Sequence, residues 1–371
     1  MVARSAQVAF LATGDELVHG DVLNTNAASM ARVMVDHRIA PGVQCVVADD
    51  RDQIQHALAC LSVDYPVIVV TGGLGPTSDD ITRFAVASYW QVELDYHAPS
   101  WQRIEQRLQS RGIQVTENNR QQCLFPAGAQ VLENRLGTAD GCVLEREGHM
   151  LVLLPGPPRE CLTLFEQKVL PLLLQRDLAA PGELRRFMLM GLGEGTLAQQ
   201  LQPMVDGSDI EIGYRVCFPY IEVKFFAATH AAMAPVVTDF ISEFDQYIVT
   251  EGQQEASACL LAWLCEHDVR IQIDDQATRG ALMSVLSSPQ RRAIVDFIAT
   301  DSNYDYRFSI SGLQAYWSAA SESQDQLRIA CDGPFQEQVE QSVRLLGART
   351  VTWVREFCCW QLYRWLSRPR A

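Results

Sequence analysis

The chain has 371 residues, 48% of them apolar, and a formal net charge of −15. It is too long for one ordinary core, so two or three domains are expected, and its apolar content is that of a folded globular protein. The charge argues against a sequence-independent binder of nucleic-acid backbone, which needs a basic stripe, but not against a small phosphorylated ligand met locally by backbone N–H groups or a metal ion.

The opening "MVARSAQVAFLATGDEL" reads as a first strand, Val8 to Ala12, closed by Thr13-Gly14-Asp15-Glu16, and is too short for a signal peptide. "NTNAASMARVMVDHR" then has helical spacing, with Asn24, Thr25 and Asn26 as candidate N-caps. A strand over 43–48, a helix from Asp49 to Cys60, a strand over 67–70 and a helix opening near Ile81 follow. Strands alternating with helices at this interval imply βαβ units and a parallel sheet. The near-continuous apolar strands fit burial on both faces.

Ser100 to Arg111 reads as a helix ended by Gly112, and 141–156 as a hairpin turning at Glu147-Gly148. A helix runs from Arg159 to about Gln175, and "RDLAAPGEL", 176–184, reads as a linker. Beyond it, "RFMLMGLGEGTLAQQL" gives strand, glycine turn and helix, "IEVKFFAA" a strand and "MAPVVTDFISEFDQYIV" a helix. Residues 183–250 hold nine acidic and four basic residues, net −5, which argues against a nucleic-acid clamp there. "TEGQQEAS" reads as a second linker, and the remaining C-terminal stretch shows helical patterns and few strong strands. The expected domains are 1–176, 183–250 and 255–371.

The 11 cysteines are odd in number, scattered and without a CxxC pair. They read as reduced, mostly buried thiols of a cytosolic, cytoplasmic protein. No apolar run reaches the ~18 residues that span a membrane. The C-terminal "VTWVREFCCWQLYRWLSRPR" reads as a core or dimer-packing helix rather than a membrane-surface one.

The chemistry concentrates in "VVTGGLGPTSDDIT", 69–82. In an open parallel sheet, ligands bind beyond the carboxyl ends of the strands, where the connections diverge. If strands one and three are neighbours, "TGDEL" and "TGGLGPTSDD" share one crevice. Glycines there let backbone approach a phosphate, and the helix near Ile81 points its N-terminus at the same place. Thr71, Thr77 and Ser78 add hydroxyls. Asp15, Glu16, Asp79 and Asp80 add carboxylates, which repel a phosphate unless a divalent cation lies between. The expectation is a metal-assisted phosphoanhydride site. Asp79 and Asp80, with Asp15 or Glu16, hold Mg²⁺, Mn²⁺ or Co²⁺; Gly72, Gly73 and Gly75 take the diphosphate; Asn24 or Asn26 orients the sugar. The plainer alternative is that the aspartates cap the helix and the glycines make a tight turn. His19 and His37 flank the first motif without a defined role.

"TGDEL" with Gly20 and "NTN", then "TGGLGPTSDDIT", "NRLGTADG" (134–141) and "LPGPPRE" (154–160), resemble the competence/damage-inducible CinA family over residues 1 to about 175. The resemblance implies an α/β fold: a three-layer, mostly parallel, molybdopterin-binding-like N-terminal domain, a small α+β central domain and a C-terminal α/β domain. It adds Thr13, Gly14, Gly137, Thr138 and Gly156 to the expected nucleotide-binding residues. It also implies metal-dependent ADP-ribose pyrophosphatase activity in the first domain, with no organic cofactor, a small nucleotide substrate and a homodimer. In active members the C-terminal domain deamidates nicotinamide mononucleotide with a serine in a segment like "AESCTGG". Here the stretch is "DDQATRG", 274–280, with Gln276 at the serine position and Arg279 at a glycine position. An amide cannot form an acyl intermediate, and no lysine follows Lys224, so this activity is expected to be lost. The competing classes are a non-catalytic nucleotide or molybdopterin binder and a molybdenum-cofactor transferase.

Overall fold

A computed structural model describes residues 7–287, 294–297, 304–318, 322–332 and 337–368. The chain packs as two compact units, 1–181 and 182–371.

The first unit is built on β1 (Val8–Thr13), β2 (Pro41–Val47) and β3 (Val67–Thr71). The short strands β4 (Leu94–Tyr96) and β5 (Leu124–Pro126) pair with each other. β6 (Gln130–Leu132), β7 (Gly141–Arg146) and β8 (His149–Leu154) complete a six-stranded sheet in the order β2-β1-β3-β8-β7-β6. β2, β1, β3 and β8 run parallel, and β7 pairs antiparallel with both β8 and β6. The β7–β8 turn falls at Glu147 and Gly148, both at positive φ (51° and 83°), the geometry of a two-residue hairpin.

Alternation along the central strands makes the layers. Val8, Phe10, Val67, Val69, Met150 and Val152 pack on one face against the helix Thr25–Asp36 and the helical stretch Pro158–Gln175. Ala9, Leu11, Ile68, Val70, Leu151 and Leu153 pack on the other against Arg51–Asp64 and Thr82–Tyr89. The helix after β1 covers one face and the helix after β2 the other, so β1 lies at a switch point, with β3 as its neighbour. Asp50, not Asp49, caps the second helix by accepting from Gln53 N at 2.9 Å, and Asp49 stays in the loop.

In the second unit, β9 (Glu183–Leu189), β10 (Glu211–Cys217), β11 (Tyr220–Ala227) and β12 (Ile248–Glu251) form an antiparallel sheet. Its order is β10-β11-β9-β12. The helices Glu194–Val205 and His230–Phe244 cover one face. The C-terminal stretch has more sheet than its sequence suggested. β13 (Ile271–Asp275), β14 (Val295–Asp296), β15 (Tyr306–Gly312), β16 (Gln324–Asp332) and β17 (Gln338–Arg344) make a five-stranded mixed sheet. The helix Ala348–Ser367 is a core element, burying Cys358, Cys359, Trp360 and Trp365.

Residues 252–255 do not separate independent cores. Met188, Tyr220 and Val249 of the β10-β11-β9-β12 sheet, with Met190 just beyond β9, join the same buried cluster as Leu260, Ile273, Phe357 and Trp360. A buried polar link crosses the same junction. Tyr220 OH donates to Glu356 Oε2 at 2.7 Å, and that oxygen also accepts from Ser257 N at 3.0 Å. All 11 cysteines are free thiols, and among the described residues no helix is long and apolar enough to cross a membrane.

Candidate functional site

A cleft of about 400 Å³ opens at the carboxyl ends of β1, β2, β3 and β8. Strand pairing fixes its walls. Register pairs Ala12 with Thr71 and Thr71 with Leu154, which brings the loops "TGDEL", "TGGLG" and "LPGPP" side by side.

The glycine loop after β3 is held tightly. Gly72 and Gly73 adopt φ of 101° and 61°, the left-handed region that side chains disfavour. A Cβ on Gly72 would lie 2.3 Å from Thr13 O, and one on Gly73 2.1 Å from Thr82 Oγ1. The glycines therefore let this loop close against β1 and the helix Thr82–Tyr89. The buried hydroxyls of Thr13 and Thr82 share a hydrogen bond of 3.1 Å beneath it. Gln121 Nε2 holds the outer arm, donating to Gly75 O at 3.1 Å and Thr77 O at 2.6 Å.

Not every glycine amide faces a ligand. Gly14 N donates to Val47 O at 3.2 Å and Gly72 N to Leu154 O at 3.1 Å, so these two residues shape the loops and have no N–H to offer a phosphate. The amides of Gly73 and Gly75 make no such bond among the described residues.

The carboxylates divide by task. Glu16, Asp79 and Asp80 line the cleft. Asp80 Oδ2 accepts from Thr77 N at 2.8 Å and Thr77 Oγ1 at 2.5 Å, closing the turn before the helix. That hydroxyl, with Asp79's own amide, also holds the exposed Asp79 carboxyl below its ordinary value. Asp15 does not line the cleft; its Oδ1 accepts from Asp49 N at 3.2 Å.

Asp49, which the sequence had placed in a helix, is the added carboxylate. It lines the cleft, Oδ2 accepts from Asp15 N at 3.2 Å, and Oδ1 is buried without a partner. Burial raises its pKa above 3.8 and the Asp15 amide works against that; the charges of Asp15, Glu16 and Asp79 raise it further. Asp49 thus feels the charges of three other acidic groups. Yet among the described residues no three His, Cys, Asp or Glu side chains stand ready to hold a metal ion.

Asn24, Asn26, Thr138 and Gly156 line the same cleft, whereas Thr77, Ser78 and Gly137 lie outside its lining. Asn24 is occupied as the N-cap of Thr25–Asp36, accepting from Ala27 N at 3.3 Å. Asn26 Nδ2 donates to Gly156 O at 2.7 Å. Gly137 belongs to a turn folded on Asn134, whose Oδ1 accepts from Leu136 N at 2.9 Å and Gly137 N at 3.1 Å. Asn134 Nδ2 reaches Glu160 Oε2 at 2.6 Å, and Glu160 with Gln122 joins the cleft wall. Glu160 lies within "LPGPPRE", so the motif contained it; nothing in the local sequence singled out Asp49 or Gln122.

In the second unit, "DDQATRG" forms a self-satisfied turn. Asp275 Oδ1 accepts from Ala277 N at 3.2 Å and Thr278 N at 2.8 Å, and Gln276 Nε2 donates to Asp274 Oδ2 at 3.0 Å. Arg279 adopts φ 48°, and its guanidinium lies 4.5 Å from the ring centroid of Trp317.

Comparison with known proteins gives consistent matches. Residues 9–175 match the family described as a probable molybdopterin binding domain. A CinA-like protein of Kosmotoga olearia is 37% identical over 287 residues, covering 74% of this chain and 68% of that protein. A protein of Alkaliphilus metalliredigens named for competence-damage induction is 36% identical over 201 residues, and the match spans about half its length, 48%. The crystal structure of CinA, of unknown function, from Thermoplasma acidophilum is 26% identical at a TM-score of 0.41, covering 47% of this chain and 98% of that one.

Proposed function

The chain belongs to the CinA-like family, and from that premise we propose that its first unit hydrolyses a nucleotide diphosphate of the ADP-ribose type with a divalent cation. The observation that carries this reading is the convergence on one cleft of glycine-loop amides, buried hydroxyls and the acids Glu16, Asp49 and Asp79, the second of which feels the charges of the other two. A cluster that raises its own member's pKa is poised for a counter-charge.

The residues fit such a cation in kind. Asp49 Oδ1 is a buried oxygen without a partner, and carboxylate oxygens suit Mg²⁺ or Mn²⁺. Magnesium uses one or two carboxylates together with substrate phosphates and water rather than a full protein cage, which agrees with the lack of a ready three-ligand group among the described residues. One or two of Glu16, Asp49 and Asp79 would hold it, with substrate phosphate and water completing its shell. When bound, the cation polarises a phosphoryl oxygen and supplies an activated water. The chain's own part is to present the amides of Gly73 and Gly75 to the diphosphate and to exclude side chains from the loop.

The deamidase chemistry of the C-terminal region is absent in this reading, since Gln276 turns back onto Asp274 and Arg279 stacks on Trp317. The protein works on a small nucleotide, without an organic cofactor, as a cytoplasmic homodimer. A non-catalytic nucleotide or molybdopterin binder is the second reading, favoured by the family match over residues 9–175. Purified protein tested on ADP-ribose and related dinucleotides with Mg²⁺, Mn²⁺ and Co²⁺ separates the two. Metal-dependent release of AMP supports hydrolysis; binding with no turnover under any metal leaves the second reading.

A further inference from the structure

Asn26 has two functions to fill and one is open. Its side chain is nine-tenths buried, with 8% of the residue exposed, and it lines the cleft. Nδ2 donates to Gly156 O at 2.7 Å. The amide cannot be turned over, because the reverse orientation sets carbonyl against carbonyl. Oδ1 is therefore fixed, and it is buried without a hydrogen-bond partner. Leaving a buried acceptor unpaired costs free energy that a ligand can recover.

The chemistry of the missing partner follows from that atom. An ionised phosphate oxygen carries no proton and cannot satisfy an acceptor. Asn24 is the poorer candidate, because its Oδ1 already accepts from Ala27 N as the helix N-cap, whereas Asn26 Oδ1 accepts nothing. Asn26 also lies in the first turn of Thr25–Asp36, where a backbone N–H has no intrahelical acceptor. One residue thus presents a donor and an acceptor together. A hydroxyl both gives and takes a hydrogen bond, whereas an amine on a base only gives.

We infer that Asn26 selects ligands by a sugar hydroxyl, accepting a hydrogen bond from it at Oδ1, and that the cleft discriminates ribosyl from deoxyribosyl compounds. This rests on the nucleotide reading of the cleft but not on catalysis. The assignment gives the "NTN" segment two separate tasks: Asn24 starts the helix and Asn26 reads the ligand.

The test is calorimetric titration of the full chain with Mg²⁺ and non-hydrolysable probes: α,β-methylene-ADP-ribose, its 2′-deoxyadenosine and 3′-deoxyadenosine forms, and α,β-methylene-ADP, which lacks the terminal ribose. In the wild type, at least one probe lacking a hydroxyl should bind ~10-fold to ~100-fold more weakly than the parent. Asn26→Ala should weaken the parent and abolish that difference. Asn26→Gln, which keeps an amide donor for Gly156 O and an amide acceptor, should keep it, and guards against a purely structural loss in the alanine variant. Equal binding of all four probes by the wild type, or discrimination that persists in Asn26→Ala, overturns the inference. Discrimination without turnover of ADP-ribose itself sinks the hydrolase reading and leaves this one standing. Failure of the parent probe to bind overturns both.

Discussion

Gly73→Ala is the sharpest probe of how the loop is built. Two costs combine. The residue sits at φ 61°, where a side chain costs ~1–2 kcal/mol. The new Cβ would also stand 2.1 Å from Thr82 Oγ1 and 3.1 Å from Thr13 Oγ1, and forcing a group into a packed site costs ~1–3 kcal/mol. The sum is about 2–5 kcal/mol, or roughly 4–20 °C in melting temperature for a unit of this size. Scanning calorimetry of the full chain, following the transition of the first unit, reads it directly. The two parts can be separated with Thr82→Ala, which removes the obstructing hydroxyl but not the backbone cost. The double variant should recover ~1–3 kcal/mol relative to the sum of the single changes. A shift below ~2 °C, or strict additivity in that cycle, would refute the packing argument.

Three further outcomes are expected. Asp79→Asn should lower phosphoanhydride turnover by ~10²–10³ with little change in melting, because Asp79 is exposed and lines the cleft, whereas Asp80→Asn should also loosen the Thr77 turn. Unimpaired turnover in Asp79→Asn would remove it from the site. Burial, then the neighbouring charges, raises Asp49's pKa in the folded state above its unfolded value, so burying its ionised form costs stability at neutral pH. That cost is relieved as pH falls through the folded value, because the folded state takes up the proton first. Asp49→Asn should accordingly be more stable than the wild type at neutral pH, with the advantage shrinking on acidification; denaturant titrations at several pH values check the sign. Finally, the wild type should release no ammonia from nicotinamide mononucleotide, and Gln276→Ser alone should not restore release, since a hydroxyl needs a base to take its proton. Ammonia release lost on mutating 274–280 would show a different nucleophile at work.

Three of the four parallel strands of the first sheet were legible because they are buried on both faces and read as unbroken apolar runs, whereas the edge strand β2 is partly exposed. "VAFLAT", "VIVVT" and "HMLVLL" are strands almost wholly inside the protein. Their adjacency was a condition the sequence left open, and strand pairing supplies it, so that the two glycine loops meet. The C-terminal strands gave a fainter signal. In "QDQLRIACD" only Leu327, Ile329 and Cys331 face inward, with polar residues between, and "QVEQSVR" buries Val343 alone. Asp49 and Asp50 illustrate a limit of another kind. The two are chemically identical neighbours, and only backbone geometry makes one a helix cap and the other a cleft carboxylate. The glycines show the same limit at atomic scale. Sequence permits a loop that approaches phosphate, but register determines that the Gly14 and Gly72 amides are already bonded to strand carbonyls.

The shared core of the second unit bears on whether its C-terminal region could be removed if its chemistry is lost, as proposed. Cutting the chain at residue 255 would bare Met188, Met190, Tyr220 and Val249, and strand the Tyr220 hydroxyl without Glu356. Four large apolar side chains brought into water cost ~6–12 kcal/mol, as much as an entire domain's stability. Shortening by gene truncation would therefore fail at that point even if every catalytic residue beyond it were gone, while a cut near residue 181 falls between the compact units. Loss of an activity and freedom to be deleted are different properties, and in this chain the second is withheld by the four side chains that the C-terminal region shelters.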